Sequence, residues 1–248
     1  MIVELAGVTA QVLCRFPENE VFLRDYSSDG NPAFTIAPDD ADLAQMQADF
    51  DRTDEAEGIP KHKRTDGFLE NNAIHSMLAE RLVWENVLLM HGSALCMDGE
   101  AYIFTAKSGT GKSTHARLWR EVFGDRVWMI NDDKPMLRIG ETGIRVYGTP
   151  WDGKHHLSRN ASAKLKAIVN LTRDESNHIA HMSRADAFPV LMKQCFGSKH
   201  PATMARVIEL EKQLLDAVDF YTLGCNMEPE AALTAWEGIH SPERAERK

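Results

Sequence analysis

The chain of 248 residues is long enough for one large domain or two small ones with a well-buried core. Hydrophobic residues make up 43% of it and charged residues 26%, as is ordinary for a globular protein. Its net charge of −9, from 37 acidic and 28 basic side chains, argues against a general nucleic-acid or anionic-membrane surface, although a local basic pocket stays open.

The cysteines and the hydropathy pattern predict a cytoplasmic protein. The four cysteines are scattered and form no CxxC pair, which favours reduced thiols. No apolar run reaches the length of about 18 residues that a membrane-spanning helix needs. The start of the chain carries no secretory signal pattern. We therefore expect neither a membrane nor a nucleic acid among the partners.

The first part of the chain, 1–66, predicts a small β-rich region. Short apolar runs predict three strands, at 2–6, 10–16 and near 33–36. The polar, acid-rich segment 39–67 predicts a surface loop or an irregular connection. Its basic cluster KHKR at 61–64 is interpreted as a solvated face rather than a binding patch.

From residue 67 to residue 240 the pattern predicts a second, larger domain. Apolar residues at helical spacing predict a helix over 69–84. Two β-rich runs, 87–96 and 101–105, turn at Met97–Asp98–Gly99 and predict a hairpin. The further predicted elements are helix 112–123, strand 126–131, hairpin strands 134–139 and 143–148, strand 164–171, helices 183–195 and 201–218, strand 219–224 and helix 228–239.

Strands and helices mix in this order without strict alternation. The pattern therefore predicts an α/β fold with a mixed sheet and flanking helices rather than a purely parallel sheet. The last residues, 241–248, are expected to be frayed.

The stretch AKSGTGKST, 106–114, matches a phosphate-binding loop of the form GxxxxGK[ST], with Ala106 in the first position. Its glycines permit positive φ, so that successive amides can point at one anion, and a helix follows. Lys112 can reach the β- and γ-phosphates, and Ser113 can ligate magnesium. The alternative is a glycine-rich surface turn. The predicted nucleotide-binding residues are Ser108, Gly109, Thr110, Gly111, Lys112, Ser113 and Thr114.

An acidic pair supports this interpretation. Asp132 and Asp133 end a predicted strand, and Asp132 follows Lys112 by 20 residues. One carboxylate could hold Mg²⁺ and the other could accept a proton from an attacking hydroxyl, with the order left open. The alternative is an acidic turn before Pro135.

Two further stretches are weaker candidates. The loop GTPWDGK offers Lys154, which could stabilise charge on a transferred phosphoryl group, although an ordinary Pro–Gly surface loop is the alternative. The pair His155–His156 lacks further ligands at a recognisable spacing, so a zinc site is not expected.

The segments HGSAL, AYIFTAKSGTGKSTHARLW and VWMINDDKP together resemble the core of HPr kinase/phosphorylase, a member of the phosphoenolpyruvate-carboxykinase-like P-loop proteins. The resemblance covers about 87–173 and implies that Lys112 binds phosphate and that Ser113 binds magnesium. It also implies that Asp133 or Asp132 acts as base or metal ligand, and that His91 lies beside the reacting hydroxyl. Because HPr kinases are oligomers, it implies a homo-oligomer as well.

The leading hypothesis is an ATP-dependent phosphotransferase that uses ATP and Mg²⁺. Its acceptor would be a hydroxyl, in the first place a serine or threonine of a peptide or protein. A kinase of a small-molecule alcohol and a non-catalytic nucleotide-binding regulatory module are the alternatives. The sequence does not distinguish ATP from GTP.

Overall fold

The computed structural model describes residues 1–241, which form two compact units, Met1–Glu85 and a second that begins at Asn86. The sequence analysis put the boundary after residue 66. The contacts of the helix over 66–82 place it in the first unit instead. Of the tail expected to be frayed, 242–248 lies outside the described residues. Within 1–241, no helix is both long and apolar enough to span a bilayer.

The first unit combines a small sheet with three helices. Strand β1 pairs antiparallel with β2, and β2 pairs parallel with β3. The strands are β1 (Ile2–Leu5), β2 (Val8–Val12) and β3 (Phe34–Ile36), and the helices are α1 (Pro17–Leu23), α2 (Asp40–Glu57) and α3 (Asp66–Leu82).

The prediction of a loop over 39–67 is wrong, because α2 fills most of that segment. The Asp39 side chain accepts hydrogen bonds from the first turn, and the Asp42 carboxylate accepts one from the Asp39 amide, which makes a capping box. Gly58 ends the helix in the left-handed conformation, with φ 71°. The helix buries only Leu43 and Asp54, so its apolar periodicity is too sparse to reveal it.

The basic cluster at 61–64 is only partly a solvated face. Arg64 donates two hydrogen bonds of 2.9 Å to the buried carboxylate of Asp54 and lies 4.3 Å from the ring centroid of Phe50. These contacts of the Arg64 guanidinium hold the segment after α2 against that helix.

The second unit is built on a sheet of nine strands among the described residues. Its strands are β4 (Val87–Leu89), β5 (Ser93–Met97), β6 (Glu100–Thr105), β7 (Val127–Asn131), β8 (Met136–Gly140), β9 (Gly143–Tyr147), β10 (Ser162–Arg173), β11 (His178–His181) and β12 (Asp219–Cys225). Its helices are α4 (Lys112–Phe123), α5 (Arg184–Gln194), α6 (Pro201–Ala217) and α7 (Glu230–His240). The order β4-β8-β9-β10-β6-β5-β7, with β12 beside β10 and β11 beside β12, contains both parallel and antiparallel pairs. The predicted mixed α/β fold is confirmed.

The run 87–96, predicted as one strand, is two strands in different parts of the sheet. Strand β4 pairs with β8, whereas β5 pairs with β6 and β7. The chain breaks pairing at Gly92, where a Cβ would lie 2.9 Å from Ile103 Cγ2 and 3.0 Å from the Phe104 carbonyl. The hairpin of β5 and β6, the hairpin of β8 and β9, and the bounds of α4 agree with the sequence analysis.

Strand directions bring several loops to one edge of this sheet. Strand β5 is antiparallel to both β6 and β7, so β6 and β7 are parallel to each other. Strand β10 is parallel to β6. The carboxyl ends of β6, β7 and β10 and the start of β5 therefore lie at the same edge, where ligands of open α/β sheets bind.

Helix α4 is anchored on the sheet by an aromatic cluster. Trp119 is fully buried, with its ring 5.1 Å from that of Tyr102 and 5.3 Å from that of Phe104. Its Nε1 donates a 3.0 Å hydrogen bond to Nε2 of His115. Burial lowers the pKa of His115 to about 3, so this imidazole is neutral at pH 7 and accepts the indole proton.

This pairing predicts an acid-sensitive contribution to stability. Because the folded-state pKa of His115 is lower than its unfolded value, the contribution is present above about pH 6.5 and is lost as the pH falls towards 3. We expect the free energy of unfolding to fall by about 2 kcal/mol more in the wild type than in His115→Gln between pH 6.5 and 4.5. Urea unfolding at several pH values measures this. In the control His200→Gln, which changes an exposed histidine, the free energy of unfolding should depend on pH as in the wild type. The same pH dependence in His115→Gln as in the wild type would contradict this account.

Candidate functional site

The loop between β6 and α4 has the backbone geometry of an anion cradle. Gly109 and Gly111 have φ of 76° and 124°, which side-chain-bearing residues rarely adopt. The Thr110 amide donates to the Lys107 carbonyl at 3.2 Å and closes a tight turn. Helix α4 begins at Lys112, so its unpaired first amides face this loop.

The side chains of the predicted phosphate loop differ in exposure. Ser108, Gly109 and Ser113 are exposed, and Thr110, Gly111 and Thr114 are half-buried. Arg173, at the end of β10, donates to the carbonyls of Gly109 and Thr110. The sequence analysis did not single out this arginine, although it closes the strand that lies beside β6.

Lys112 is half-buried at the start of α4. Its Nζ donates a 3.3 Å hydrogen bond to the Ala106 carbonyl. Burial lowers the pKa of Lys112, against the opposing charge of Asp133 and, more weakly, of Asp132. The ammonium group is thus close enough to both carboxylates to interact with them electrostatically.

Asp133 is paired with His91. Asp133 Oδ1 lies 3.2 Å from His91 Nε2, and Asp133 Oδ2 lies 3.9 Å from Lys134 Nζ. Burial raises the pKa of Asp133, but the hydrogen bond from His91 and the charges of Lys134, His91 and Lys112 outweigh it, so the pKa lies below its ordinary value. This carboxylate is therefore ionised at pH 7. The sequence analysis had placed both residues at the site without pairing them.

Asp132 is almost completely buried, with 6% of its surface exposed. Its Oδ1 accepts a 2.7 Å hydrogen bond from the buried hydroxyl of Ser93. On the other side, a Cβ on Gly153 would lie 2.9 Å from Asp132 Oδ2, so only glycine lets that loop pack here without displacing the carboxylate. Asp132 and Ser113 line the same cleft of about 380 Å³. The two oxygen donors predicted as magnesium ligands thus face a common space.

Asn131 holds the acidic turn in place. Its Oδ1 accepts from the amides of Asp133 and Lys134 at 2.9 and 2.6 Å. Its Nδ2 donates to the Thr149 carbonyl and hydroxyl at 3.1 Å and to the Trp151 carbonyl at 3.2 Å. One fully buried amide therefore ties the turn after β7 to the loop GTPWDGK. Its position directly before the aspartates was the only signal in the sequence.

Lys154 stands apart from the other predicted residues. It is exposed, and within residues 1–241 its neighbour His155, rather than Lys154, lines the cleft beside Asp132. The next histidine, His156, lies 3.0 Å from Asp152 through its Nδ1. No group of three or more His, Cys, Asp or Glu side chains in the described range is placed to hold a metal ion.

No family model matches the chain, and no curated protein matches it. Among solved structures, the chain is similar to the one described as the HPr(Ser) kinase/phosphatase from Coxiella burnetii. The match has 10% sequence identity and a TM-score of 0.36, and it covers 64% of this chain and 97% of that chain. A likeness at this level does not define what the chain does.

The role of Asn131 can be tested by stability. Asn131→Ala removes the acceptor of the Asp133 and Lys134 amides and the donor to the Thr149 carbonyl, which we expect to cost about 2–4 kcal/mol in the free energy of unfolding. Thr149→Val keeps the bonds that the Asp133 and Lys134 amides donate to Asn131 but loses the hydroxyl bond to the Lys134 carbonyl, and it should cost less, about 1–2 kcal/mol. Urea unfolding measures both. A loss below about 0.5 kcal/mol for Asn131→Ala would show that the amide is not a structural clamp.

Proposed function

We propose that this chain is an ATP-dependent phosphotransferase, with a phosphoenolpyruvate-carboxykinase-like P-loop fold in its second unit and a site of the HPr-kinase type. Its acceptor is a hydroxyl, in the first place a serine or threonine of a peptide or protein. One observation carries the proposal: a loop with two positive-φ glycines leads into α4, and Ser113 in the first turn of this helix lines the same cleft as Asp132.

The loop fits a triphosphate in charge and in donors. The amides around Gly109, Gly111 and Lys112 supply donors, and the start of α4 supplies a positive helix end. Lys112 would exchange its bond to the Ala106 carbonyl for the β- and γ-phosphates. The same residues would accept ATP or GTP, because they contact phosphate and not base.

The donor set also fits Mg²⁺. Hydroxyl and carboxylate oxygens are the ligands this ion prefers, and it is commonly held by one or two protein groups together with phosphate oxygens. Ser113 and Asp132 would hold it, since they share the cleft and Ser93 fixes the Asp132 carboxylate. The ion would supply neutralisation of phosphate charge.

Asp133 would act as the base. The carboxylate would hold the acceptor hydroxyl and take its proton, while His91 keeps it oriented. A low pKa suits a group that must be ionised before the acceptor arrives. Lys154 would stabilise charge on the transferred group, because Gly153 packs against Asp132 and holds this loop at the site.

The proposal extends to the setting of the protein. We expect a cytoplasmic homo-oligomer that uses neither a membrane nor nucleic acid as partner. The alternative of a non-catalytic nucleotide-binding module predicts the same loop but gives no reason for a carboxylate paired with His91.

The base assignment predicts a separation of binding from transfer. Asp133→Asn keeps the shape of the side chain but cannot accept a proton, so we expect transfer to fall by about 10²–10⁴-fold with nucleotide affinity within threefold of the wild type. Radiolabel transfer to a serine-peptide library and calorimetric titration with Mg–ATP measure the two effects. Nucleotide binding with unaltered transfer would remove Asp133 from the mechanism.

The loop assignment predicts a difference between two neighbouring lysines. Lys112→Ala removes the phosphate-facing ammonium, and we expect Mg–ATP affinity to fall by at least 30-fold, as loss of charged hydrogen bonds worth about 2–3 kcal/mol would produce. Lys107→Ala, on the exposed side of the same loop, should bind like the wild type. Equal affinity of all three proteins would contradict a phosphate site at this loop.

A further inference from the structure

The cleft beside Asp132 carries positive charge that the phosphate loop does not account for. Besides Ser113 and Asp132, its lining includes Arg117 and Arg120 of α4 and His155 of the loop after Gly153. The whole chain has a net charge of −9, so two arginines lining one cleft are a local exception.

Helix geometry explains why the arginines face the cleft. Ser113, Ala116, Arg117 and Arg120 follow the spacing i, i+3, i+4, i+7 and therefore share one face of α4. The opposite face carries His115, Leu118 and Trp119, which are buried in the core. The helix thus cannot turn these arginines away without exposing its aromatic anchor.

Of the two arginines, Arg120 has the buried donor that a ligand could satisfy. Its Nε is buried and has no hydrogen-bond partner within residues 1–241. A guanidinium keeps its charge at any physiological pH, and a buried donor on a charged group is costly when unsatisfied. Arg117, by contrast, pairs with Glu121 at 2.5 Å and is half exposed. A planar anion such as a carboxylate, or a phosphate, matches the fork of Arg120.

The position of Arg120 on the helix separates this anion from the triphosphate. Arg120 follows Ser113 by seven residues, two helical turns or about 10 Å along α4. A triphosphate held by the loop amides is centred about two turns from the Arg120 Cα, so a second ligand would fill the Arg120 end of the cleft. An anion at Arg120 therefore belongs to the other substrate.

We propose that the cleft lined by Arg117, Arg120 and His155 binds an anionic group, carboxylate or phosphate, of the hydroxyl acceptor. This rests on the proposed function, since it gives that reaction its substrate class: an acceptor that carries an anionic group near its hydroxyl, because Arg120 lines the same cleft as Asp132, the neighbour of the proposed base. A peptide with an acidic residue two or three positions from its serine fits, as extended chain covers about 3.3 Å per residue. A small hydroxy acid shares the chemistry.

The anion site can be tested on the full chain without knowing the acceptor. Sodium sulfate is titrated into protein loaded with Mg²⁺ and a non-hydrolysable ATP analogue, and into unloaded protein, while arginine Nε–H signals are followed by NMR. We expect the Arg120 signal to shift and saturate at millimolar sulfate in both states. The signal of Arg126, which pairs with Asp98 outside the cleft, should stay unchanged. An Arg120 signal that ignores sulfate, or that moves only with the nucleotide analogue, overturns the proposal.

Labelling then distinguishes the sources of the anion. Two matched pairs are compared: serine-peptide pools with Asp or Asn fixed two residues after serine, and glycerate or its amide. We expect the acidic member of one pair to be labelled at least tenfold faster by the wild type, and Arg120→Gln to remove this preference. Arg120→Lys keeps the positive charge but not the paired donors of the guanidinium, so it should retain part of the preference for the acidic acceptor. It also controls for effects of the substitution on folding. Equal labelling within both pairs overturns the acceptor assignment.

The two proposals can fail separately. Calorimetric titration with Mg–ATP tests nucleotide binding at the phosphate loop, whereas the sulfate shift at Arg120 in unloaded protein does not depend on it. A protein that binds sulfate at Arg120 but no ATP would refute the proposed function and keep the anion site. A protein that binds ATP but shows no sulfate shift at Arg120 would refute the anion site and leave the proposed function standing.

Discussion

Strand β5 runs antiparallel between β6 and β7, and the candidate site depends on this arrangement. Because both neighbours run opposite to β5, their carboxyl ends meet at one edge, together with the start of β5 itself. The phosphate loop, the acidic pair and the segment His91–Ser93 are thereby brought together from separate parts of the sequence. A parallel β5 would have left Ser93 at the far edge, and Asp132 without its hydrogen bond.

The site keeps several charges close together, and its buried amide and hydroxyl groups make this tolerable. Both Asp132 and Asp133 act electrostatically on Lys112 in a partly desolvated region, where an unsatisfied group is costly. Ser93 and Asn131 reduce this cost with neutral hydrogen bonds. Ser93 bonds the Asp132 carboxylate, and Asn131 bonds the backbone of the acidic turn. Since neither contributes charge, they fix the geometry of the site without changing its charge balance.

The sequence was informative where a local pattern determines structure. The glycines of the phosphate loop and the helix that follows it could be predicted, because positive φ and helix starts have residue signatures. Helix α2 could not, because caps and polar side chains rather than an apolar stripe define it. The apolar run over 87–96 gave no sign of its division, since strand partners depend on contacts distant in the chain. The same limit concealed Asn131 and Arg120, whose roles depend on what folding brings next to them.

The contact of Arg173 with the phosphate loop has a consequence for ligand affinity. A trans peptide is planar, and its carbonyl and amide point in opposite directions. By holding the Thr110 carbonyl, the guanidinium also fixes the direction of the Gly111 amide in that same plane. For the proposed anion, less conformational freedom is then left to lose on binding, so part of the entropic cost of association is already met by the end of β10.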